Sequence, residues 1–231
     1  MLFYQPEDGY CFNSDSIFLY DFAARFRPRG RVLDVGCGVG VIGLLLARDF
    51  GLSLQMVEKQ EKMARYAEIN ARVNGIDAQL YRGDFLDFDP GVQYDMIVSN
   101  PPFYPPEVIQ SEDAHLHACR YNTHLPVAPF FRQVKRLIAP RGRFVFCYDA
   151  SQTQVLLDEL ATVGLRAEDL RFVHPNIDRP AKLVLIHARN QSRARNRIHP
   201  PFVVFEGEAY GKEALTIFEK ARTHTIKCKI S

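Results

Sequence analysis

The chain has 231 residues, of which 47% are hydrophobic and 24% charged, and its formal net charge at pH 7 is +2. This composition predicts a single folded domain with a sizeable core, and the small net charge excludes a protein that binds polyanions over its whole surface. No basic region followed by a long apolar run stands at the start, and apolar stretches such as residues 41–47 are too short to span a bilayer, so a cytoplasmic location is predicted.

In the N-terminal part of the chain, stretches with the hydrophobic periodicity of a helix alternate with stretches typical of a strand, and each ends in a polar or glycine turn. Ser14 or Asp15 is predicted to cap the first helix, whose apolar face lies among residues 17–26. The predicted elements that follow are a strand at 31–35, a glycine turn at 36–40, a helix at 41–49, a strand at 52–57, a helix at 60–74, and strands at 78–81 and 94–98.

The C-terminal part begins with a long polar connection over residues 103–125, of a length typical of functional loops. Its three histidines combine with no cysteine or carboxylate in a spacing typical of a metal site, so no metal is predicted. The predicted elements beyond it are a helix at 129–138, a turn at 140–142, a strand at 143–148, a helix at 152–163, strands at 170–173, 183–187 and 202–205, and a helix at 213–220.

This alternation predicts an α/β fold, with a doubly wound, mostly parallel sheet and helices on both faces. Ligands of such sheets bind outside the carboxyl ends of the strands. Four consecutive predicted strands carry polar or glycine residues at that end, and the crevice is therefore expected among Asp34 with Gly36, Glu58, Gly83 with Asp84, and the segment that starts at Asn100.

The glycine turn formally matches the dinucleotide pattern GxGxxG over residues 38–43. However, Asp34 would repel a pyrophosphate and favour a cation, while Glu58 is placed to accept both hydroxyls of a ribose. S-adenosylmethionine has that ribose and two positive groups, and needs no phosphate site. Asp84 with Phe85 then offers a carboxylate and an aromatic contact for the adenine.

The segment Asn100-Pro101-Pro102-Phe103 follows the strand at 94–98 directly and is stiff, because each proline fixes its own φ and restrains the residue before it. The side-chain oxygen of Asn100 and the carbonyl of Pro101 are two fixed acceptors, and the ring of Phe103 is a flat wall beside them. Two acceptors and a ring suit a planar amino group.

Charge is unevenly distributed near the C-terminus. Residues 180–205 contain no Asp or Glu but include Lys182, Arg189, Arg193, Arg195 and Arg197. Such a stripe is typical of a surface that meets a phosphate backbone, and it is also typical of a solvated face. Charge alone leaves both interpretations open.

The stretch Val32-Leu33-Asp34-Val35-Gly36-Cys37-Gly38-Val39-Gly40 resembles the first motif of class I S-adenosylmethionine-dependent methyltransferases, and Asn100-Pro101-Pro102-Phe103 resembles the motif of their amino-methylating branch. Over most of its length the chain is similar to small bacterial tRNA adenine N6-methyltransferases, which also carry the pieces Phe12-Asn13-Ser14-Asp15-Ser16 and Ala118-Cys119-Arg120-Tyr121. The resemblance implies a Rossmann-like domain over residues 31–231 with a basic C-terminal segment. Residues 1–30 are then an N-terminal segment and helix that contribute to the cofactor pocket.

The resemblance also implies residue roles. Asp34, Gly36, Gly38 and Gly40 would bind the methionine end of S-adenosylmethionine, with Glu58 on the ribose and Asp84 with Phe85 on the adenine. Asn100, which is also expected to contact the cofactor, and Pro101 would accept the target amino protons in the loop that Pro102 completes, and Phe103 would stack on the base. The expected partner is tRNA, with Arg120, Arg189, Arg193, Arg195 and Arg197 as RNA contacts.

Four other functions use the same residues: N-methylation of ribosomal RNA bases, methylation of a release-factor glutamine, methylation of a small amine, and RNA binding without catalysis. Release-factor methyltransferases resemble longer chains with an additional N-terminal helical domain, whereas about 30 residues precede the first sheet strand here. A small amine would not need the basic segment. The intact set Asp34, Glu58, Asp84 and Asn100 favours an enzyme over a relic binding site.

Overall fold

The computed structural model describes residues 1–8, 11–101 and 127–229. Pro102, Phe103 and Arg120, and the polar connection predicted at 103–125, therefore lie outside the described residues. The strands are β1 (Leu2–Pro6), β2 (Arg31–Val35), β3 (Ser53–Glu58), β4 (Ala78–Arg82), β5 (Tyr94–Ser99), β6 (Ile138–Asp149), β7 (Leu165–His174), β8 (Leu183–Asn190), β9 (Arg197–Ile198), β10 (Phe202–Val203), β11 (Phe205–Glu206), β12 (Ala209–Tyr210) and β13 (His224–Cys228).

Helices connect most of these strands. They are α1 (Ser14–Ala24), α2 (Val41–Phe50), α3 (Glu61–Val73), α4 (Val127–Leu137), α5 (Thr153–Thr162) and α6 (Lys212–Ala221), and short 3₁₀ turns occupy Phe85–Asp87 and Ala150–Gln152. Within the described ranges, no helix has the length and apolar character that crossing a membrane requires.

The central sheet has the strand order β10-β7-β8-β6-β5-β2-β3-β4, with β9 also paired to β7. Strands β2 to β6 are mutually parallel, and β8 runs antiparallel to both β6 and β7. The predicted doubly wound, mostly parallel sheet is confirmed. Crossovers through helices on both faces leave the carboxyl ends of β2 to β5 at one edge of the sheet.

Two apolar clusters cover the two faces of this sheet. Alternate residues of β5 divide between them, since Val98 packs in the cluster that includes α1, α2 and α6, whereas Ile97 packs in the cluster that includes α4 and α5. β2 and β5, at the centre of the sheet, are buried on both faces over most of their length, which is why both are mainly apolar in the sequence.

Two local predictions are wrong. The predicted turn at residues 140–142 lies within β6, because Tyr94 pairs with Ile138 and Met96 already pairs with Arg143, so that the residues between bulge out of one continuous strand. The cap of α1 is Asn13 rather than Ser14 or Asp15, since the Asn13 side chain accepts a hydrogen bond from the backbone N–H of Asp15 at 3.2 Å.

The two ends of the chain form a pairing that the sequence patterns did not indicate. β1 and β13 make a separate two-stranded parallel sheet, in which Leu2 pairs with His224 and Pro6 with Cys228. The other edge of β1 is bound by two side chains of α3. Asn70 exchanges hydrogen bonds with both backbone groups of Tyr4, and Asn74 does the same with Leu2.

Candidate active site

The carboxyl ends of β2, β3 and β5 lie side by side, as the sequence predicts. Val35 pairs with Val57 on one side and with Ser99 on the other. The next residue of each segment, Gly36, Glu58 or Asn100, is therefore at the same level of the sheet. β4 ends beside Glu58, which pairs with Arg82, so that Asp84 follows at the same edge.

The glycine loop after β2 depends on a backbone conformation that other residues rarely adopt. Gly36, Gly38 and Gly40 have φ values of 64°, 57° and 86°. The N–H groups of Gly36 and Cys37 both donate to the carbonyl of Val57, at 2.9 and 3.1 Å, which anchors the loop to β3. A Cβ at Gly36 would meet no atom within 4 Å, so the loop there borders open space that a ligand can fill.

Asp34 lies beneath this loop and is almost fully buried, with 1% of its surface exposed. Its Oδ2 accepts a hydrogen bond from the N–H of Gly43 at 2.8 Å, and its Oδ1 is buried without a hydrogen-bond partner among the described residues. Burial and, to a smaller extent, the charge of Glu58 raise the pKa of this carboxyl to about 7, against the lowering effect of the Gly43 hydrogen bond. A cation above the loop would stabilise its ionised form.

Gly43, the last glycine of the formal GxGxxG match, has a packing role. A Cβ there would stand 2.9 Å from Cδ1 of Leu54 and 3.0 Å from Cβ of Asp34. Only glycine lets α2 approach β2 and β3 this closely while its N–H reaches Asp34. The spacing shared with dinucleotide sites thus reflects helix packing here.

Glu58 ends β3 and supports the glycine loop directly. Its Oε2 accepts from the N–H of Gly38 and its Oε1 from the N–H of Gln60, both at 2.8 Å. Glu58 is 6% exposed, and burial raises its pKa even though these backbone donors lower it. Each carboxylate oxygen has a further lone pair, so Glu58 can hold the loop and still accept a ribose hydroxyl.

Asp84 and Phe85 follow β4. Oδ1 of Asp84 caps the short turn by accepting from the N–H of Leu86 at 2.9 Å, and its Oδ2 lies 2.8 Å from Nζ of Lys59. The Phe85 ring is 3% exposed and packs edge-on against Phe130, 5.3 Å between centroids. The ring is thus part of the core, and a contact of either residue with an adenine stays a prediction.

Asn100 is held by side chains from two other elements. Its Nδ2 donates to Oγ of Ser16 in α1 at 3.1 Å. Its Oδ1 accepts a hydrogen bond from the thiol of Cys147 in β6, with 3.0 Å between sulfur and oxygen. Ser99 anchors the same turn through its hydroxyl, which donates to the carbonyl of Val35 at 2.8 Å. Pro101 is buried, so the described start of the segment is a fixed corner.

The sequence motifs did not single out Ser16 and Cys147 as site residues. Burial keeps the pKa of the Cys147 thiol well above its usual value, with a further contribution from the charge of Asp15. The pKa of Asp15 is itself raised by burial, against a hydrogen bond from Asn13. The one sequence feature that points to Ser16 is the capping sequence Asn13-Ser14-Asp15, because it starts α1 beside Asn100.

The described arginines of the basic segment do not lie beside Asn100. Arg189 pairs with Arg143, which pairs with Met96, so Arg189 is level with a residue four positions before Asn100 and lies toward the amino ends of the parallel strands. Arg197 pairs with β7 and lies 3.7 Å from Asp169. Arg193 and Arg195 are exposed between them.

The residues at the strand ends fit a ligand that combines a positive group with a ribose. The glycine loop leaves open space, the buried Asp34 lacks a partner for one oxygen among the described residues, and Glu58 retains acceptor capacity beside it. The amide of Asn100 stands at the same level one strand away. An electrophile bound over the loop would therefore lie next to a group bound at Asn100.

Comparison with known proteins relates the chain to methyltransferases. Residues 14–120 match the family described as methyltransferase small domain. The chain is 30% identical over 175 residues to a tRNA1(Val) (adenine(37)-N6)-methyltransferase of Pedobacter heparinus, covering 73% of this chain and 72% of that protein. It is 26% identical over 208 residues to the Parabacteroides distasonis protein of the same name, covering 88% and 87%.

Solved structures share the fold at lower identity. A predicted O-methyltransferase from Agrobacterium tumefaciens superposes with a TM-score of 0.68 at 14% identity, covering 93% of this chain and all of that one. A ribosomal protein L11 methylase from Lactobacillus delbrueckii subsp. bulgaricus superposes with a TM-score of 0.57 at 20% identity, covering 83% and 84%. These likenesses concern the class I Rossmann-like fold.

Proposed function

The chain belongs to the family of the tRNA1(Val) (adenine(37)-N6)-methyltransferases, and on that premise we propose that it methylates the exocyclic N6 amino group of an adenine in tRNA, with S-adenosylmethionine as the methyl donor. The observation that supports this most directly is Asn100, which stands beside the glycine loop and is oriented by Ser16 and Cys147.

S-adenosylmethionine, when bound, supplies an electrophilic methyl group on a positively charged sulfur. Asp34, below the loop of Gly36, Gly38 and Gly40, is the anion that favours this charge, and Glu58 accepts the ribose hydroxyls with the lone pairs that Gly38 and Gln60 leave free. Asp84 with Phe85 is assigned to the adenine side. These assignments rest on the carboxylates and open loop described above and on the family's motif.

The residues after β5 act on the target base. Oδ1 of Asn100 and the carbonyl of Pro101 accept the two amino protons, which fixes the nitrogen and weakens the conjugation of its lone pair with the ring. Ser16 fixes the Asn100 amide by accepting from Nδ2, and the Cys147 thiol is a weak donor to Oδ1 that leaves a lone pair of this oxygen free for an amino proton. Pro102 and Phe103 complete the motif, with Phe103 assigned to stacking.

The transfer itself is an in-line displacement. The N6 nitrogen would form a bond to the methyl carbon as the carbon–sulfur bond breaks and a neutral thioether leaves, and one amino proton would then pass from the nitrogen to water. The protein contributes mainly alignment and electrostatics, and no nucleophilic side chain is needed. Asn100 and Pro101 carry the growing positive charge of the nitrogen through hydrogen bonds to its protons.

We assign tRNA as the partner because the relatives carry that substrate in their names and because a basic segment follows β8. A tRNA substrate in turn implies a cytoplasmic location. The names of these relatives specify adenine 37 of tRNA1(Val), so this is the first position at which methylation should be sought. The base is expected to leave its stack to reach Asn100, which is easiest in a loop.

The test is transfer of labelled methyl from S-adenosylmethionine to total tRNA from a strain that lacks this protein, followed by nucleoside mass spectrometry. We expect N6-methyladenosine in tRNA with the wild-type protein and none with Asn100→Ala. Label in ribosomal RNA or in release factors instead of tRNA would overturn the substrate. Cofactor binding without transfer to any of these would overturn catalysis.

A further inference from the structure

Three arginines form a row across neighbouring strands on one face of the sheet. Arg143 of β6 pairs with Arg189 of β8, and Arg189 pairs with Arg166 of β7. Directly paired residues point to the same face. This is the α1 face, because Val145 and Leu185, which alternate in phase with Arg143 and Arg189, pack in the cluster that contains α1. The row spans two strand spacings, about 10 Å.

Acidic side chains neutralise only part of the positive charge of this row. Glu168 lies 3.7 Å from Arg189, whereas no carboxylate of the described chain forms an ion pair with Arg143 or Arg166. Burial lowers the pKa of Arg143, and the charges of Arg189 and Arg29 lower it further, against a smaller opposing effect of Glu168. Arg29 belongs to the exposed connection between α1 and β2, so positive charge faces the row from that side as well.

The chain after β8 adds to the same surface. The hydroxyl of Ser192 donates to the carboxylate of Glu168, which turns the segment back toward β7 immediately after Asn190. Arg193 and Arg195 follow and are exposed. Glu168 is an additional residue in β7, where the register shifts between Ala167 and Asp169, and this bulge brings it to the face of the row.

Like charges directly opposite each other on neighbouring strands destabilise a sheet. Three arginines paired across strands therefore repel one another in the free protein, although the carboxylates of Glu168 and Asp169 lie near Arg189 and His187. Binding of an anion would relieve this repulsion. Planar guanidinium groups match phosphate oxygens with paired hydrogen bonds, which makes arginine well suited to a nucleic-acid backbone. The row length suits a run of phosphates rather than one small anion.

We propose that Arg143, Arg166 and Arg189, with Arg29, Arg193 and Arg195 around them, bind the phosphate backbone of tRNA at a distance from the methylated base. This inference rests on the proposed function, because it takes tRNA as the substrate. Arg143 pairs with Met96, four residues before Asn100, so the row lies about 13 Å along the strands from the active-site corner. It holds RNA that flanks the target rather than the target base.

The test compares two double variants that remove the same charge. Arg143→Gln with Arg166→Gln alters the row, and Arg65→Gln with Arg72→Gln alters two exposed arginines of α3, at the other edge of the sheet. Binding of purified tRNA is measured by fluorescence anisotropy over a series of salt concentrations. We expect the row variant to bind about tenfold more weakly, with a salt slope smaller by about 1 to 2, and the control to bind as wild type does.

Two further measurements separate binding from structure. S-adenosylmethionine affinity is expected to be unchanged in the row variant, and its melting temperature unchanged or higher, because repulsion between paired arginines is relieved. A lower melting temperature together with weaker cofactor binding would assign the row a structural role and overturn the proposal. Arg166→Gln alone, at an exposed position, repeats the binding test if the double variant does not fold.

Equal tRNA binding by the row and control variants also overturns the proposal. Failure of the proposed function is recognised separately, because it is read from wild-type transfer. If wild-type protein methylates tRNA while both variants bind tRNA equally, the proposed role of the arginine row is wrong and the proposed function stands. If wild-type protein methylates no tRNA, the proposed function fails whatever the variants bind.

Discussion

Nδ2 of Asn70 donates to the carbonyl oxygen of Val39 at 2.9 Å, and Asn70 is completely buried. The same amide exchanges two hydrogen bonds with the backbone of Tyr4 in β1. One side chain of α3 thus joins the strand at the N-terminus to the glycine loop beside Asp34. The pairing of β1 with β13 is thereby linked to the candidate cofactor site.

Asn70→Ala is expected to weaken both stability and cofactor binding. It leaves the buried carbonyl of Val39 and the backbone groups of Tyr4 without their partner, which costs about 1 to 3 kcal/mol of the free energy of unfolding. Asn74→Ala is the matched control, because Asn74 binds Leu2 but does not contact the loop. Urea unfolding should show losses in both variants, whereas calorimetry should show weaker S-adenosylmethionine binding for Asn70→Ala only. Equal affinities would contradict the coupling.

Asn100→Ala is expected to abolish methyl transfer while S-adenosylmethionine affinity is largely kept. The variant removes the proposed acceptor for the amino proton, and the described contacts of Asn100 are with Ser16 and Cys147 rather than with the glycine loop. Single-turnover transfer and equilibrium cofactor binding measure the two effects separately. Wild-type turnover in this variant would remove Asn100 from the mechanism.

Ser16→Ala is expected to lower kcat without a matching change in the cofactor KM. The hydroxyl of Ser16 orients the Asn100 amide, and one hydrogen bond of about 0.5 to 1.5 kcal/mol corresponds to a loss of roughly 2- to 13-fold. Cys147→Ala is the comparison, because a thiol is a weaker donor and its loss should reduce kcat less. A larger effect at Cys147 than at Ser16 would reverse the assignment.

Asp34 gives the free protein a defined pH dependence. Burial raises its pKa in the folded protein to about 7 from an ordinary value of 3.8, so between these values the folded state binds more protons than the unfolded state. Stability from this group therefore falls as pH rises from about 4 to about 7, and the penalty is fully present above that range. Asp34→Asn keeps the acceptor for Gly43 and removes the buried charge.

Asp34→Asn should therefore unfold at the same urea concentration as wild type near pH 4 and at a higher one near pH 8. The difference in the free energy of unfolding is at most roughly 4 kcal/mol, because the pKa of Asp34 in the folded state lies about three above its ordinary value. Saturating S-adenosylmethionine should stabilise wild type more than the variant, since the variant lacks the anion. A stability difference that does not change with pH would show that burial of Asp34 is not the cause.

The sequence predicted the elements whose signal is local. β2 was predicted with its observed bounds, and the strand ends at Gly36, Glu58, Asp84 and Asn100 were predicted because glycine, proline and short polar residues interrupt apolar runs there. The bulge in β6 was predicted as a turn, since Pro140 and Gly142 are turn residues. Their place within a strand depends on pairing with Tyr94, which a local pattern does not specify.

The sequence by itself therefore determined the alternating fold, the glycine loop and the four strand ends, because periodicity and turn chemistry act between near neighbours. Only the tertiary structure decided which distant residues meet: Ser16 with Asn100, Asn70 with Val39, β1 with β13, and the arginine row across β6, β8 and β7. These contacts depend on strand register and on how helices cross the sheet. Register is set by the packing of both faces of the sheet together, and no short stretch of sequence contains it.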